Sequence, residues 1–391
     1  MISVAEAKKM IIESCDISIV KTLPLLQANG SILAENIYSL IDTPPFDQSA
    51  MDGYAFSYES WDGNSDLLMT GEIQAGHFSN VILKEGEIVR IYTGAALPKG
   101  ADTVVMQEKV VKGDGTVSIQ DKLLVKGSNV RKQGSQTKTG EIVLHKEQLL
   151  TPAGISFLAN IGINKVDVFA KPTISIIVTG KELTQAGKEL TAGKIFESNS
   201  IGLVAALQQL NIEPISVEVV DDKEEEIEIA ITRGLKSDII ILTGGVSVGD
   251  YDLVPASLEK CGVKKVFHNV KQKPGKPLYF GKHHQTLVFG LPGNPAAVFS
   301  CFYEYIVPAI SSFTHKNYFK EMLLPLAEDF KNKQGLTYFL KGKTGNQNVT
   351  ILNNQESYLL NSFAVADCLV ELVEEKDNYC KGDLVSINMI I

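Results

Sequence analysis

Carboxylates and lysines in this chain fall where they could handle an anionic ligand. In Ser237–Asp252, SDIIILTGGVSVGDYD, the apolar run Ile239–Leu242 meets Gly244 and Gly245, with Asp250 and Asp252 close behind. Two adjacent glycines let the backbone turn tightly and leave N–H groups open to a ligand oxygen. Glu182 stands in TGKEL, and Asp221-Asp222 follows another apolar run. Lys271, Lys273 and Lys276 lie in KQKPGKP, a loop stiffened by Pro274 and Pro277. GLPGNP, Gly290–Pro295, leads into a helical pattern. A helix N-terminus beside lysines attracts phosphate or another oxyanion. Carboxylates near that ligand would repel it unless they hold a divalent cation or ribose hydroxyls, so Mg²⁺ is implied. Each piece alone also reads as ordinary structure: a helix N-cap at Asp221-Asp222, a solvated lysine-proline turn, punctuation before Pro295.

Alternation of strand and helix is what brings these pieces together. Strands are expected at Ile174–Val178, Ile215–Val220, Ile239–Leu242, Val266–Val270, Leu278–Phe280 and Thr286–Phe289. Helices are expected at Ser198–Leu210, Lys223–Leu235, Leu253–Cys261 and Pro295–Ile310. That spacing predicts an α/β fold with an open parallel sheet, helices on both faces. Ligands of such sheets bind outside the carboxyl ends of the strands. Glu182, Asp221, Gly244, Lys273 and Gly290 each follow a different strand, so they converge on one edge.

The remaining chain reads as flanking domains. Residues 3–15 have a helical period with a Ser3/Glu6 capping box, followed by an extended segment at Ile17–Lys21 and a short helix at Leu23–Gln27. From 43 to 140, short alternating runs between glycine turns predict a small β unit. Thr151–Ile161, with Pro152 at its first helical position, returns to helix. The expected organisation is a discontinuous helical domain (1–42 and 141–171), an inserted β domain (43–140), the α/β domain (172–315) and a small C-terminal β domain (316–391).

With 37 Lys and Arg against 46 Asp and Glu, a net charge of −9 argues against bulk attraction to nucleic acid or acidic membrane. Five unpatterned cysteines fit reduced thiols, and no apolar run approaches ~18 residues, so a cytoplasmic protein is expected. No histidine has metal-ligand spacing. GxSxG, Walker A and GxGxxG are absent, which leaves serine hydrolase, P-loop and Rossmann dehydrogenase readings without support.

The order TGGVSVGDYD, KPGKP, GLPGNP resembles the molybdopterin molybdenumtransferases, the MoeA and gephyrin E-domain family. SAMDGYA (Ser49–Ala55), EIQAG (Glu72–Gly76), TGAALPKGADTVVMQE (Thr93–Glu108) and ESYLLNSFAVADCLVEL (Glu356–Leu372) extend the likeness over nearly the whole chain. The resemblance implies Mg²⁺-dependent insertion of molybdate, as substrate, into adenylylated molybdopterin, with release of AMP. It also implies a homodimer, with transient contact to the adenylyltransferase and to acceptor molybdoenzymes. Carried over by motif, Asp52, Glu182, Asp221 (or Asp222) and Asp250 are the catalytic candidates, with Asp250 and Glu182 toward Mg²⁺. Thr93, Gly94, Gly244, Gly245, Ser247, Lys273, Lys276, Pro292, Pro295 and Ser362 are the substrate-binding ones.

Three positions depart from the family pattern: Lys181 stands for an acid, Gln136 for an aspartate and Glu356 for a glycine. A molybdopterin adenylyltransferase resembles the α/β domain alone, so the MDGYA unit and the last domain count against that alternative. A non-catalytic scaffold is the other alternative, one that a fused partner domain would favour. The near-isosteric oxyanions of molybdenum and tungsten stay open.

Overall fold

The computed structural model describes residues 1–15, 18–77, 80–246, 253–318, 320–332 and 335–390. The chain divides into two compact units, one of Met1–Lys21 with Phe169–Ile391 and one of Thr22–Val168. Helix α1 (Val4–Ser14) opens on the expected capping box: Glu6 N–H donates to the Ser3 hydroxyl at 3.2 Å and Ser3 N–H to the Glu6 carboxylate at 2.8 Å. Its stripe Val4, Ala7 and Ile11 is buried with Ile174, Ile176 and Val178, so α1 packs in the core of the α/β sheet. The short helix expected at Leu23–Gln27 is instead a strand end and a turn, closed by Gln27 and Ala28 N–H on Pro24 O at 2.9 and 3.1 Å. Five residues before a glycine at φ 75° cannot recover the cost of helix nucleation.

The second unit holds a six-stranded sheet. Its strands are β1 (Gly53–Phe56), β2 (Leu67–Ile73), β3 (Glu87–Ile91), β4 (Thr103–Met106), β5 (Val110–Lys112) and β6 (Thr116–Ile119), in the order β4-β1-β3-β2-β6-β5. Both faces are buried. Tyr54, Phe56 and Ile88 join one core, Ala55, Val89 and Ile91 the other, as the two-residue period of a strand requires. Helix α2 (Pro152–Asn160) is capped by the Thr151 hydroxyl, which accepts from Gly154 N–H at 3.1 Å, and buries Ile155 and Leu158 with Leu25 and Val168.

In the first unit the α/β elements follow in alternation: β7 (Ile174–Thr179), α3 (Asn199–Gln209), β8 (Ser216–Val220), α4 (Glu224–Gly234), β9 (Ile239–Thr243), α5 (Val254–Lys260), β10 (Lys264–His268), β11 (Tyr279–His283) and β12 (Thr286–Leu291). The sheet order is β8-β7-β9-β12-β11-β10. β7, β8, β9 and β12 are parallel to one another, while β11 is antiparallel to both β10 and β12. The link from β11 to β12 is too short for a crossover, so it closes as a hairpin with His284 at φ 53°. β10 still points with the parallel set.

A helical run continues from α6 (Pro295–Cys301) through a π-turn (Phe302–Ile306) into α7 (Val307–Thr314). Pro295–Thr314 is long and apolar enough to cross a bilayer by composition, yet 78% of its apolar window is buried inside the fold, as in a core helix. The π-turn carries Glu304, which is fully buried. Its carboxylate accepts from Lys8 Nζ at 2.8 Å and from Asn388 Nδ2 at 2.8 Å, and Lys8 also reaches Glu371 at 3.1 Å.

The C-terminal sheet contains β13 (Glu321–Pro325), β14 (Thr337–Gly345), β15 (Asn348–Ile351), β16 (Cys368–Leu372) and β17 (Leu384–Met389). The two-residue strand Gln272–Lys273 of the lysine loop lies parallel to β14, beyond which follow β16, β17 and β13.

Candidate functional site

β9 is buried along its whole length and must turn where it reaches the sheet edge. Gly244 and Gly245 make that turn at φ 90° and 59°. A Cβ on Gly244 would stand 2.3 Å from Thr179 O, so only glycine fits there. Beside this turn, at the carboxyl ends of β7, β9 and β12, lies a cavity of about 660 Å³. Its walls include Glu182, Asp222, Asn199, Pro292, Pro295 and Tyr358. The Asn199 amide donates to Gly293 O at 2.9 Å and to Thr243 Oγ1 at 3.5 Å, tying two loops of the crevice together. Thr179, 4% exposed, also lines the cavity, and its hydroxyl has no partner among the described residues.

The paired acids part company. Asp221 turns to the Lys223 ammonium at 3.3 Å and accepts from Asp222 N–H at 2.9 Å; these bonds hold its carboxyl below the usual range. Asp222 lines the cavity and accepts from Lys181 N–H at 3.1 Å. Geometry therefore puts Asp222, with Glu182, on the cavity wall and Asp221 beside it, in an ion pair. Asp250 and Ser247 lie outside the described residues.

The lysine loop borders the same edge. Lys276 is exposed and followed by Pro277, a cavity-lining residue, while exposed Lys273 holds its ammonium 5.5 Å from the Tyr338 ring centroid. The helix N-terminus behind Pro295 is partly taken, because Ala296 N–H donates to Ser357 O at 3.0 Å. Ser362 is 5% exposed, and its hydroxyl donates to Asn354 O at 2.7 Å, inside its own loop.

Asp52 and Thr93 belong to the second unit and are hydrogen-bonded to each other there. Asp52 accepts from Thr93 N–H at 2.8 Å and from Thr93 Oγ1 at 2.9 Å, which lowers its pKa below the ordinary aspartate value. Gly94 follows at φ 83°, and exposed Gln136 is fixed through its N–H on Thr43 O at 2.9 Å.

Among the described residues no three His, Cys, Asp or Glu side chains converge as a closed metal site. Glu182 and Asp222, which both line the cavity, nevertheless fit Mg²⁺, which takes one or two carboxylates and fills its shell with water and phosphate oxygens. Asn199 and Tyr358 are cavity residues that sequence reasoning missed. Asn199 carried a signal, since it opens a helix directly after a strand pair, whereas Tyr358 carried none.

Three family models match the chain: the MoeA N-terminal region (domain I and II) over residues 2–162, a probable molybdopterin binding domain over 175–312, and the MoeA C-terminal region (domain IV) over 324–390. A Haemophilus influenzae protein named molybdopterin molybdenumtransferase is 34% identical over 375 residues, 93% of this chain and 92% of that protein. A Staphylococcus aureus protein of the same name is 32% identical, covering 94% and 90%. A crystal structure of a molybdopterin biosynthesis MoeA protein from Pyrococcus horikoshii superposes with a TM-score of 0.86 at 28% identity, over 100% of this chain and 99% of that one.

Proposed function

We propose, from the premise that this chain belongs to the MoeA family of molybdopterin molybdenumtransferases, that it loads molybdate onto adenylylated molybdopterin and releases AMP. The broader activity follows from the family: the chain is a transferase of molybdenum cofactor biosynthesis that inserts molybdenum. Support for the finer reading rests on one observation. A glycine turn without side chains and two carboxylates border one cavity at the carboxyl ends of the sheet, and the lysine loop reaches it through Pro277.

Releasing AMP leaves negative charge on a phosphate while a second oxyanion, molybdate, approaches. Gly244 and Gly245 let a phosphate oxygen come close to the main chain. Lys276 and Lys273 supply the positive charge that two anions in one crevice require. Glu182 and Asp222 would hold Mg²⁺, which when bound neutralises phosphate charge; Asp250 is proposed beside them on the resemblance alone. Asn199 keeps the two loops at a fixed separation. Asp52 and Thr93, paired within the second unit, are proposed as substrate-handling residues on the strength of the resemblance. A homodimer is part of the same proposal, and exposed Leu26, Tyr38, Leu40 and Ile142 in the second unit support it. Cytoplasmic localisation and hand-over of the product to acceptor molybdoenzymes complete it.

The test is AMP release by the purified chain from adenylylated molybdopterin, with and without molybdate. Release that does not depend on molybdate would contradict the reading. Within that assay Lys276→Ala is expected to weaken molybdate binding by about 1.5–3 kcal/mol through loss of a charge-assisted bond. Its melting temperature should stay at the wild-type value, because an exposed lysine contributes little to folding. Unchanged molybdate affinity would remove Lys276 from the oxyanion site.

A further inference from the structure

One aromatic ring on the cavity wall has no place in that scheme. Tyr358 is 63% exposed, on a loop held by several hydrogen bonds to its carbonyls and side chains. The ammonium of Lys341, itself 2% exposed, donates to the carbonyls of Asn354, Glu356 and Leu359 at 2.8, 3.3 and 3.4 Å, bracketing Tyr358 on both sides. The Gln355 amide pairs with the main chain of Lys341, accepting from its N–H at 3.0 Å and donating to its carbonyl at 2.9 Å. The Ser362 hydroxyl closes the loop on Asn354 O. Ser357, the immediate neighbour, is pinned to the start of α6: its carbonyl accepts from Ala296 N–H and its hydroxyl from Asn294 Nδ2 at 2.9 Å.

Burying a lysine ammonium costs free energy unless its donors are satisfied, and here three carbonyls satisfy it. The result is a stiff loop. An exposed ring on that loop gains the fold almost no apolar burial. Ligand contacts gain from such rigidity, because a pre-placed ring loses little entropy on binding. The cavity it lines, about 660 Å³, is of nucleotide size and also carries the polar side chains of Asp222 and Asn199.

We infer that Tyr358 is a substrate-contacting residue whose ring stacks on a planar heterocycle of the substrate. The inference rests on the function proposed above, whose substrate carries two such rings, an adenine and a pterin. Stacking on an aromatic side chain suits either, since each presents a π-face.

Binding of AMP and of 6-carboxypterin, measured by calorimetry on the full chain, separates the two sources. Tyr358→Ala should raise Kd for one of them by roughly five- to a hundredfold, the range of base–aromatic stacks lost to alanine. Tyr358→Phe, which keeps the ring, should bind as wild type does. Molybdate affinity and melting temperature should be unchanged in both variants. Weaker AMP binding assigns the ring to adenine, and weaker pterin binding assigns it to the pterin. If the alanine variant binds both as wild type does, or the phenylalanine variant loses as much as alanine, the stacking role is wrong. Molybdate-dependent AMP release by the wild-type preparation keeps that failure distinct from failure of the function itself.

Discussion

Gly244→Ala is expected to lose both the crevice and a large part of the protein's stability. At φ 90° an alanine is strained, and its methyl would sit 2.3 Å from the Thr179 carbonyl oxygen, a backbone atom that cannot swing aside. Conformational strain of about 1–3 kcal/mol and overpacking of about 1–3 kcal/mol combine to roughly 2–6 kcal/mol. Either β9 or β7 must shift, and the floor of the cavity shifts with it. Gly293→Ala is the contrast: its nearest neighbour would be Gly244 Cα at 3.8 Å, an ordinary contact. That variant should unfold within ~0.5 kcal/mol of wild type. Urea midpoints of the two variants decide the matter. Equal midpoints would mean that the turn relaxes freely.

Lys8→Met tests the buried cluster around Glu304. Glu304 would then lie fully buried with only Asn388 as its partner. The expected loss at neutral pH is about 2–4 kcal/mol, less than for a wholly enclosed pair because 30% of the Lys8 side chain meets solvent. Burial, the largest influence, already lifts the Glu304 pKa above its ordinary 4.5 in the presence of Lys8. Without the ammonium it rises further. A carboxyl with a raised folded-state pKa gives stability that is fully present below the unfolded value and lost as pH climbs through the folded one. The variant should therefore approach wild type in acid below about pH 4.5 and fall away toward neutrality. Glu371, the other carboxylate facing Lys8, is partly exposed and relaxes into solvent. Lys8→Met combined with Glu304→Gln should recover most of the loss. Melting temperatures from pH 4 to 8 supply the check, and a loss of equal size at every pH would place the cause elsewhere.

The α/β domain was the most legible part of the chain. β-branched runs, glycine turns and helical periods there all repeat at short range, and local pattern carries that information. The antiparallel run of β11 was written in the short link at His284, which leaves no room for a crossover, but strand–helix alternation taken as a whole pointed to a parallel sheet. The β character of 43–140 and of 316–391 was legible too, and strands such as Thr116–Ile119 and Leu384–Met389 stand there. In the crevice, the glycine turn and the proline loop could be located from spacing alone. Which of Asp221 and Asp222 faces the cavity depends on a lysine beside them, and no spacing rule carries that. Tyr358 reaches the site only because the buried Lys341, on a separate strand, winds its loop. Contacts of that kind are set by tertiary structure. The packing of α1 is of the same kind: its apolar stripe announces a partner but not which one.

That helix has a consequence for how the protein is made. Lys8 and Glu304 are 296 positions apart in the chain, so a ribosome delivers the ammonium long before the carboxylate. At about 5–20 residues per second the wait is roughly 15–60 s. Throughout it, the apolar stripe of Val4, Ala7 and Ile11 has none of its eventual neighbours from β7 onward until they emerge. The stretch Thr22–Val168 contains complete cores of its own and can close in that interval. Helix α1 thus emerges well before the elements it docks on, and until then its greasy side is the nascent chain's natural handle for a chaperone.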